Sequence, residues 1–258
     1  MATEINAGGI AGAIYDGYKE IINCENYGDV YAELHTAGGI TAFISTKATI
    51  SYCKNFGAIL GGGGQSGGLV GYIFKYKEVI ANISDCECYI DYSRSKGAIL
   101  VGHLPAKNDL EFNMKNIKAK AYNVSKNVYA FSYVETGKIR ISNVEIEIEA
   151  TQKTYKASFI ATSKRSLTME NISIMSNCIN QIYNIVNHQH EQVKLTVNSF
   201  VAVSTTQLDW FVGSDFSGFF VDYKTGNVGL RSLSGKNFYQ GKVTKQWLEQ
   251  KGFSEKTM

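Results

Sequence analysis

The chain has very little proline, with Pro105 the only one among 258 residues, and only 19% of its residues are charged. Few charges, a net charge of +3 and the lack of a Lys/Arg cluster with interleaved aromatics argue against a disordered tail or a nucleic-acid-binding arm. No apolar run reaches the roughly 18 residues that a membrane span needs, and no signal-peptide pattern opens the chain. We therefore expect neither a nucleic-acid partner nor a membrane span.

Cysteine and histidine are also scarce, and their arrangement predicts neither a cofactor nor a metal site. The five cysteines form an odd set that excludes a complete disulfide framework: Cys24, Cys53, Cys86, Cys88 and Cys178. The pair Cys86 and Cys88 would point to one face of a strand, but no histidine lies nearby, so buried structural thiols are the favoured interpretation. His188 and His190 could begin a metal site, yet only Glu191 offers a third ligand, and the segment is typical of an exposed loop.

Glycine is abundant, and it recurs in blocks that define the organisation of the chain. Three blocks, GGIAG at 8–12, GGITA at 38–42 and GGLVG at 67–71, follow one another at nearly constant spacing. A second motif alternates with them, as NCENYGDV at 23–30 and YCKNFGAI at 52–59. A two-part unit that repeats about every 30 residues is typical of a solenoid. Glycine-rich turns and the lack of proline favour stacked β-strands.

Extending the second motif predicts about seven coils in a solenoid over residues 1–203, with the repeat clear to about residue 102. Equivalent positions are Cys24, Cys53, Cys86, Ile117, Val144, Ile172 and Leu195. Stacked coils would place Cys above Cys and Asn26 above Asn55 as an interior ladder. The bias of parallel crossovers predicts a right-handed parallel β-helix, with either two or three strands per coil.

The segment 204–258 differs in composition and predicts a small C-terminal cap. Aromatic residues crowd into positions 210–220, and runs at 219–223 and 228–230 flank a KTGN turn, which is a hairpin pattern. A short helix is expected from Thr244, its N-cap, to Lys251. The aromatics either shield the last coil or form a ligand platform, for which the candidate ligand-binding residues are Trp210, Asp215, Phe216 and Tyr223.

These motifs resemble the GLUG-motif repeats of bacterial surface and secreted proteins. The resemblance is carried by residues 9–12, 68–71 and the two Cys-x-Asn-x-Gly strands, and it covers residues 8–102. Ala42 departs from the final glycine of the block, and Cys88 and Ile90 depart from the Asn and Gly of the strand. The resemblance implies a β-solenoid on an exported protein, often linked to adhesion, and implies no catalytic residues.

Three functions are consistent with this sequence. The favoured one is a non-enzymatic module, at the bacterial cell surface or secreted with its leader removed, that binds an extracellular glycan or protein. The alternative is a polysaccharide lyase or glycoside hydrolase, which needs suitably placed carboxylates. The candidate carboxylates are Asp85 with Asp91, the run Glu145, Glu147 and Glu149, and Asp209 with Asp215. The third function is a structural spacer that raises another domain. Since a solenoid normally begins with a cap and the repeat starts at Gly8, we also expect a preceding leader or domain.

Overall fold

The computed structural model describes most of the chain as β-strands with short turns. The described residues are 6–61, 65–74, 78–104, 110–135, 138–151, 156–163, 167–176, 181–189, 195–204, 215–222, 227–231 and 238–242. Within these ranges every regular element is a strand, and no helix is long and apolar enough to cross a membrane. The all-β class expected from the sequence is confirmed.

Short strands form the first three coils: β1 (Asn6–Gly8), β2 (Ala11–Ile14), β3 (Lys19–Ile22), β4 (Glu25–Asn26), β5 (Val30–Ala32), β6 (Thr36–Gly38), β7 (Thr41–Ile44), β8 (Ala48–Ser51), β9 (Lys54–Asn55), β10 (Ile59–Gly61), β11 (Val70–Ile73), β12 (Val79–Ser84) and β13 (Glu87–Asp91). Longer strands follow: β14 (Val101–Leu104), β15 (Leu110–Val124), β16 (Val128–Val134), β17 (Lys138–Ala150), β18 (Lys156–Ser163), β19 (Leu167–Ser176), β20 (Gln181–Gln189) and β21 (Leu195–Ser204). The last three are β22 (Asp215–Asp222), β23 (Asn227–Arg231) and β24 (Phe238–Lys242).

The strands stack in parallel, each on its equivalent in the next coil, which makes the molecule a β-solenoid. One sheet has the order β2-β7-β11-β14-β16-β18-β20, which we call sheet B, and a larger sheet runs from β3 through β8, β12, β15, β17, β19 and β21 to β22. The structure describes about five turns of the solenoid in full, and the strand order continues the stack beyond them. This number differs slightly from the seven coils expected. The predicted parallel β-solenoid is therefore confirmed.

The C-terminal strands leave the parallel pattern and form the predicted hairpin. β22 pairs with β23 in antiparallel register from Phe219 opposite Leu230 to Asp222 opposite Asn227, and β24 adds a third antiparallel strand. The predicted helix at 244–251 lies outside the described residues.

The predicted stacking of the cysteine position is confirmed along six coils. Cys24 lies beside Cys53 and then Cys86, whose carbonyl accepts a hydrogen bond from Lys118 N–H, next to Ile117. Ile117 pairs with Val144, and Val144 with Ile172. The seventh assignment was wrong, because Ile172 pairs with Phe200 and not with Leu195. Leu195 pairs instead with Leu167, at the start of the same strand as Ile172. The degenerate coils lack the glycine block that would have fixed this register.

An asparagine ladder in the interior explains the second motif. The Asn26 Nδ2 donates to Asn55 Oδ1 at 2.7 Å, and both side chains are buried. Each amide also closes a local turn: Asn26 exchanges hydrogen bonds with Gly28 at 2.8 and 3.2 Å, and Asn55 does so with Gly57 at 3.1 and 3.3 Å. The predicted interior ladder is confirmed, and it satisfies backbone groups that burial would otherwise leave without partners.

The glycine block and the asparagine motif recur together because the asparagine side chain packs directly against the glycine. A Cβ on Gly9 would lie 2.5 Å from Asn26 Cγ, and one on Gly39 would lie 2.3 Å from Asn55 Cγ. Gly68 faces the Cys88 sulfur in the same way, at 2.3 Å. The amide or thiol therefore occupies the volume that each missing side chain leaves, and a larger residue at either motif would disrupt the other.

One corner of the solenoid is built from residues with positive φ. Asn23, Tyr52, Asp85, Asn116 and Asn143 occupy equivalent corner positions with φ between 52° and 55°. Asn and Asp tolerate this left-handed conformation better than other residues with a Cβ, which accounts for four of the five. Asn116 donates to Asp85 at 2.8 Å and Asn143 donates to Asn116 at 2.9 Å, so the corner carries its own polar ladder.

Candidate functional site

A row of aromatic side chains lies along the outside of sheet B. The row comprises Tyr15, Phe43, Tyr72, Phe74, His103 and Tyr133, which we call the aromatic row. Neighbouring rings lie 4.9–5.8 Å apart, and their planes meet at 30–53°. These rings are therefore tilted against one another and do not form a parallel face-to-face stack.

Strand register positions the aromatic row. Phe43 pairs with Tyr72, Tyr72 with His103, and His103 with Tyr133, one residue from each of β7, β11, β14 and β16. In the first coil this position is Ala13, and the ring of Tyr15 contacts Phe43 instead. Parallel strands stack about 4.8 Å apart, so the four paired residues extend over roughly 14 Å of surface.

The exposure of the row increases toward its ends. Tyr15 is 52% and Tyr133 is 42% exposed, whereas Phe43 is buried and Tyr72 and His103 are half-buried. The part of the row that solvent reaches is therefore a strip with an exposed tyrosine at each end and half-buried rings between them. Such a strip, with few polar groups, is what a ligand with both apolar faces and hydroxyls would contact.

One carboxylate lies against the row. The Glu135 Oε2 is 3.6 Å from His103 Nε2, and Glu135 directly follows β16, the strand that carries Tyr133. Burial raises the pKa of the Tyr72 hydroxyl, and the negative charge of Glu135 raises this pKa further. The hydroxyl of Tyr72 therefore stays protonated at neutral pH and is available as a hydrogen-bond donor to a ligand.

A second set of rings is arranged differently. Tyr27, Phe56 and Tyr89 stack at 4.8 and 5.3 Å with planes only 9° and 5° apart. In this parallel stacking the ring faces contact one another, so mostly ring edges are left for solvent. This column stabilises adjacent coils and is a poorer platform for a ligand than the aromatic row.

The sequence-predicted ligand-binding residues lie far from the aromatic row along the sequence. Asp215 and Phe216 begin β22, where they pair with Thr196 and Val197 of β21. Trp210 and Tyr223 lie outside the described residues. The hypothesis of a ligand platform in the C-terminal segment stays a prediction.

The carboxylates considered for hydrolysis serve other contacts. Asp85 sits at the positive-φ corner and accepts from Asn116, and it lies outside the strand that holds Asp91. Burial alone would raise the pKa of Asp91, but hydrogen bonds from Ser93 and Asn123 outweigh burial and lower that pKa. A carboxyl with a lowered pKa is a poor general acid. Asp209 lies outside the described residues.

The glutamate run is less exposed than its alternating pattern indicated. Lys120 Nζ lies 2.9 Å from Glu147 and 2.5 Å from Glu149, and the Glu147 side chain is only 14% exposed. Burial raises the pKa of Glu147, while the hydrogen bond from Lys120 partly counters the rise. The alternation of apolar and acidic residues predicts that the run faces solvent, but Glu147 is largely covered by the long Lys120 side chain of the neighbouring strand.

The thiols and histidines form no metal-binding group among the residues that the structure describes. Cys53, Cys86 and Cys88 are buried and unbridged, in agreement with the interpretation as structural thiols. His188 belongs to β20, a strand rather than the expected loop, and pairs with Thr162, whereas His190 lies outside the described residues.

The sequence patterns described above did not predict the aromatic row, although the positions of three of its rings relative to the glycine segments would have indicated it. Phe43 and Tyr72 follow directly on the last residues of two glycine blocks, Ala42 and Gly71, and His103 follows directly on a further glycine segment, GAILVG at 97–102. Reading one position beyond the aligned blocks would have placed these three rings side by side. His103, which has no other histidine near it in the sequence, is thus a member of the row.

Comparison of this chain with protein-family models, with curated proteins and with solved structures found no match.

Proposed function

We propose that the chain is a non-enzymatic binding module whose aromatic row holds an extracellular glycan. The observation that carries the proposal is the strand register, which lines up rings from four successive coils and brings the side chains of Tyr72 and Tyr133 to solvent. Sugar rings carry apolar C–H faces and polar hydroxyls, and they suit a strip that combines aromatic faces with tyrosine hydroxyls and one carboxylate.

An exported, cell-surface location is part of the same proposal. It is supported by the likeness of the glycine and asparagine motifs to GLUG repeats. The buried fit between Gly39 and Asn55 gives those motifs a physical role in the coil. Since the interior alone specifies the coil, outward residues such as those of the aromatic row are free to vary with the ligand.

An array of oligosaccharides and polysaccharides, incubated with the purified chain, tests the proposal. We expect saturable binding to a subset of glycans and strong loss of that binding in the double variant Tyr72→Ala/Tyr133→Ala. Truncation of central aromatic contacts typically costs about 1–2 kcal/mol each, so the double variant should lose at least tenfold in affinity. The matched control is Tyr18→Ala/Tyr31→Ala, which removes two exposed tyrosines outside the row. Equal loss in both double variants, or silence on the array, contradicts the proposal.

A catalytic role is the second candidate, and one observation favours it. His103 lies between Tyr72 and Tyr133 in the row, and its Nε2 is 3.6 Å from Glu135 Oε2, so an acid–base pair lies beside the row. A lyase or hydrolase would release new chain ends from a bound polysaccharide, and His103→Ala would abolish release while binding persists. Incubation of each array hit with the chain, followed by size analysis of the glycan, separates the two functions.

A further inference from the structure

Three cysteines from successive coils form a column in the interior of the solenoid. Cys53 lies between Cys24 and Cys86, since the strands that directly follow these three residues are paired in register. The backbone confirms the second neighbour, because the N–H of Glu87 donates to the Cys53 carbonyl at 2.9 Å. Cys53 and Cys86 are both buried, and neither belongs to a disulfide. We call these two residues the thiol pair.

The two sulfurs of the thiol pair occupy equivalent positions in their coils. Cys53 Sγ lies 3.2 Å from the carbonyl oxygen of Ser51, two residues earlier in the chain. Cys86 Sγ lies 3.1 Å from the corresponding oxygen of Ser84. Equivalent residues of neighbouring parallel strands are about 4.8 Å apart, a Cα separation that disulfides span. The backbone is therefore spaced for a disulfide, and rotation about the first side-chain torsion is the movement that brings the sulfurs together.

Hydrogen bonding makes the two thiols unequal. A hydrogen bond with the Cys86 thiol lowers the pKa of Cys53 to about 6, and burial only partly counters this effect. The same hydrogen bond, together with burial, raises the pKa of Cys86. At neutral pH Cys53 is therefore the thiolate of the pair, and Cys86 is the thiol that donates to it.

Cys88 provides an internal comparison within the same coil. It is fully buried two residues after Cys86, but its neighbours in register are Asn55 and Ala119. Burial raises the pKa of Cys88 to about 12, so this thiol stays protonated. What distinguishes the thiol pair is therefore the neighbouring thiol and not burial.

We propose that hydrogen peroxide oxidises the thiol pair to a disulfide that joins the second and third coils and stabilises the stack. The Cys53 thiolate attacks one oxygen of the peroxide, the O–O bond breaks, and Cys53 becomes a sulfenic acid while hydroxide leaves and takes up a proton. The Cys86 sulfur then attacks the Cys53 sulfur, the S–O bond breaks, and the released hydroxide takes the Cys86 proton and leaves as water. The two thiols lose two electrons and two protons, and the peroxide is reduced to two molecules of water.

The size of the oxidant and the length of the closed loop decide what this bond does. Hydrogen peroxide is uncharged and scarcely larger than water, which suits a pair that lies in the interior. The bond closes a loop of about 30 residues and so restricts the unfolded chain. We expect the oxidised chain to melt about 5 °C or more above the reduced chain. The inference concerns the interior of the solenoid and does not depend on the aromatic row.

The test treats the reduced full chain with hydrogen peroxide, blocks the remaining thiols with N-ethylmaleimide in denaturant, and maps them by mass spectrometry. We expect a peptide linked through Cys53 and Cys86, with Cys88 alkylated throughout. Dithiothreitol should release the linked peptide. Thermal unfolding, followed by circular dichroism, should show the higher melting temperature only before dithiothreitol is added.

Two variants separate the roles of the two thiols. Both are made in a chain with Cys24→Ser, which removes the remaining thiol beside Cys53. In Cys86→Ser, oxidation should stop at the Cys53 sulfenic acid, which dimedone labels. In Cys53→Ser, Cys86 should stay reduced, since its thiol is protonated. Circular dichroism spectra that match the parent chain confirm that the variants are folded, and the mapping of the parent chain needs no substitution.

Absence of the linked peptide overturns the proposal. A bond from Cys53 to Cys24 in the parent chain, or linkage of Cys88, also overturns it. Dimedone labelling of Cys86 in Cys53→Ser contradicts the assigned roles. An unchanged melting temperature in the fully linked chain contradicts the stabilising role of the bond.

Discussion

Replacing Asn55 with alanine should destabilise the solenoid by about 3–5 kcal/mol. The buried Asn55 amide accepts from Asn26 at 2.7 Å and exchanges two hydrogen bonds with Gly57 at 3.1 and 3.3 Å. Each bond contributes about 1 kcal/mol net, and each buried group of Gly57 that loses this partner adds a desolvation cost of ~1 kcal/mol or more. The assay is urea unfolding at equilibrium, monitored by far-ultraviolet circular dichroism.

Asn113→Ala is the matched control, because Asn113 also belongs to an asparagine pair between coils. It donates to Asn82 at 3.0 Å, but its side chain is only part-buried, so water can replace the lost contact. We expect a loss of less than about 1 kcal/mol. Equal losses for the two variants would refute the reasoning, since burial of the amide would then not govern its contribution.

Three further predictions concern backbone space, backbone conformation and ionisation. Gly39→Ala should destabilise the chain by at least ~2 kcal/mol in urea unfolding, because its Cβ would lie 2.1 Å from a backbone oxygen, whereas Gly12→Ala, with its nearest atom at 3.9 Å, should be nearly neutral. Tyr52→Asn should raise the melting temperature, since Tyr52 is exposed with φ of 54° and Asn tolerates that conformation; Tyr31→Asn, also exposed but on a strand, should bring no gain. Burial first, and a hydrogen bond to a carboxylate second, raise the pKa of Tyr89 to about 12. This contribution to stability is complete below the unfolded pKa of about 10 and declines up to pH 12, so Tyr89→Phe should unfold with a weaker dependence on pH in that window.

The coil could be predicted from the sequence where its interior is specified by the smallest residues. Gly39 and Asn55 have almost no substitutes, because one leaves the volume that the other fills, and their spacing therefore appears directly as a repeat. Later coils fill the interior with interchangeable apolar residues such as Val144 and Ile172. That freedom is why the register of Leu195 was predicted incorrectly.

The candidate site was harder to predict, because outward positions obey no packing rule. Phe43, Tyr72, His103 and Tyr133 belong to three residue types, and their similarity lies only in having flat rings at one register position. A search for clustered aromatics along the chain favours positions 210–220, where rings are adjacent in sequence. In a solenoid, residues that meet on the surface are about 30 positions apart, so local clustering is the wrong signal.

The central claim is that the aromatic row is a continuous binding surface, and affinity as a function of ligand length tests it most directly. Oligosaccharides of increasing length, prepared from the glycan that binds best, are titrated by calorimetry against the purified chain and against Tyr133→Ala. The account predicts that affinity rises with length until the ligand covers the row and then levels off, and that Tyr133→Ala, which shortens the row at one end, reaches its plateau at a shorter ligand. Affinity that is independent of ligand length, or the same plateau for both proteins, would contradict the claim.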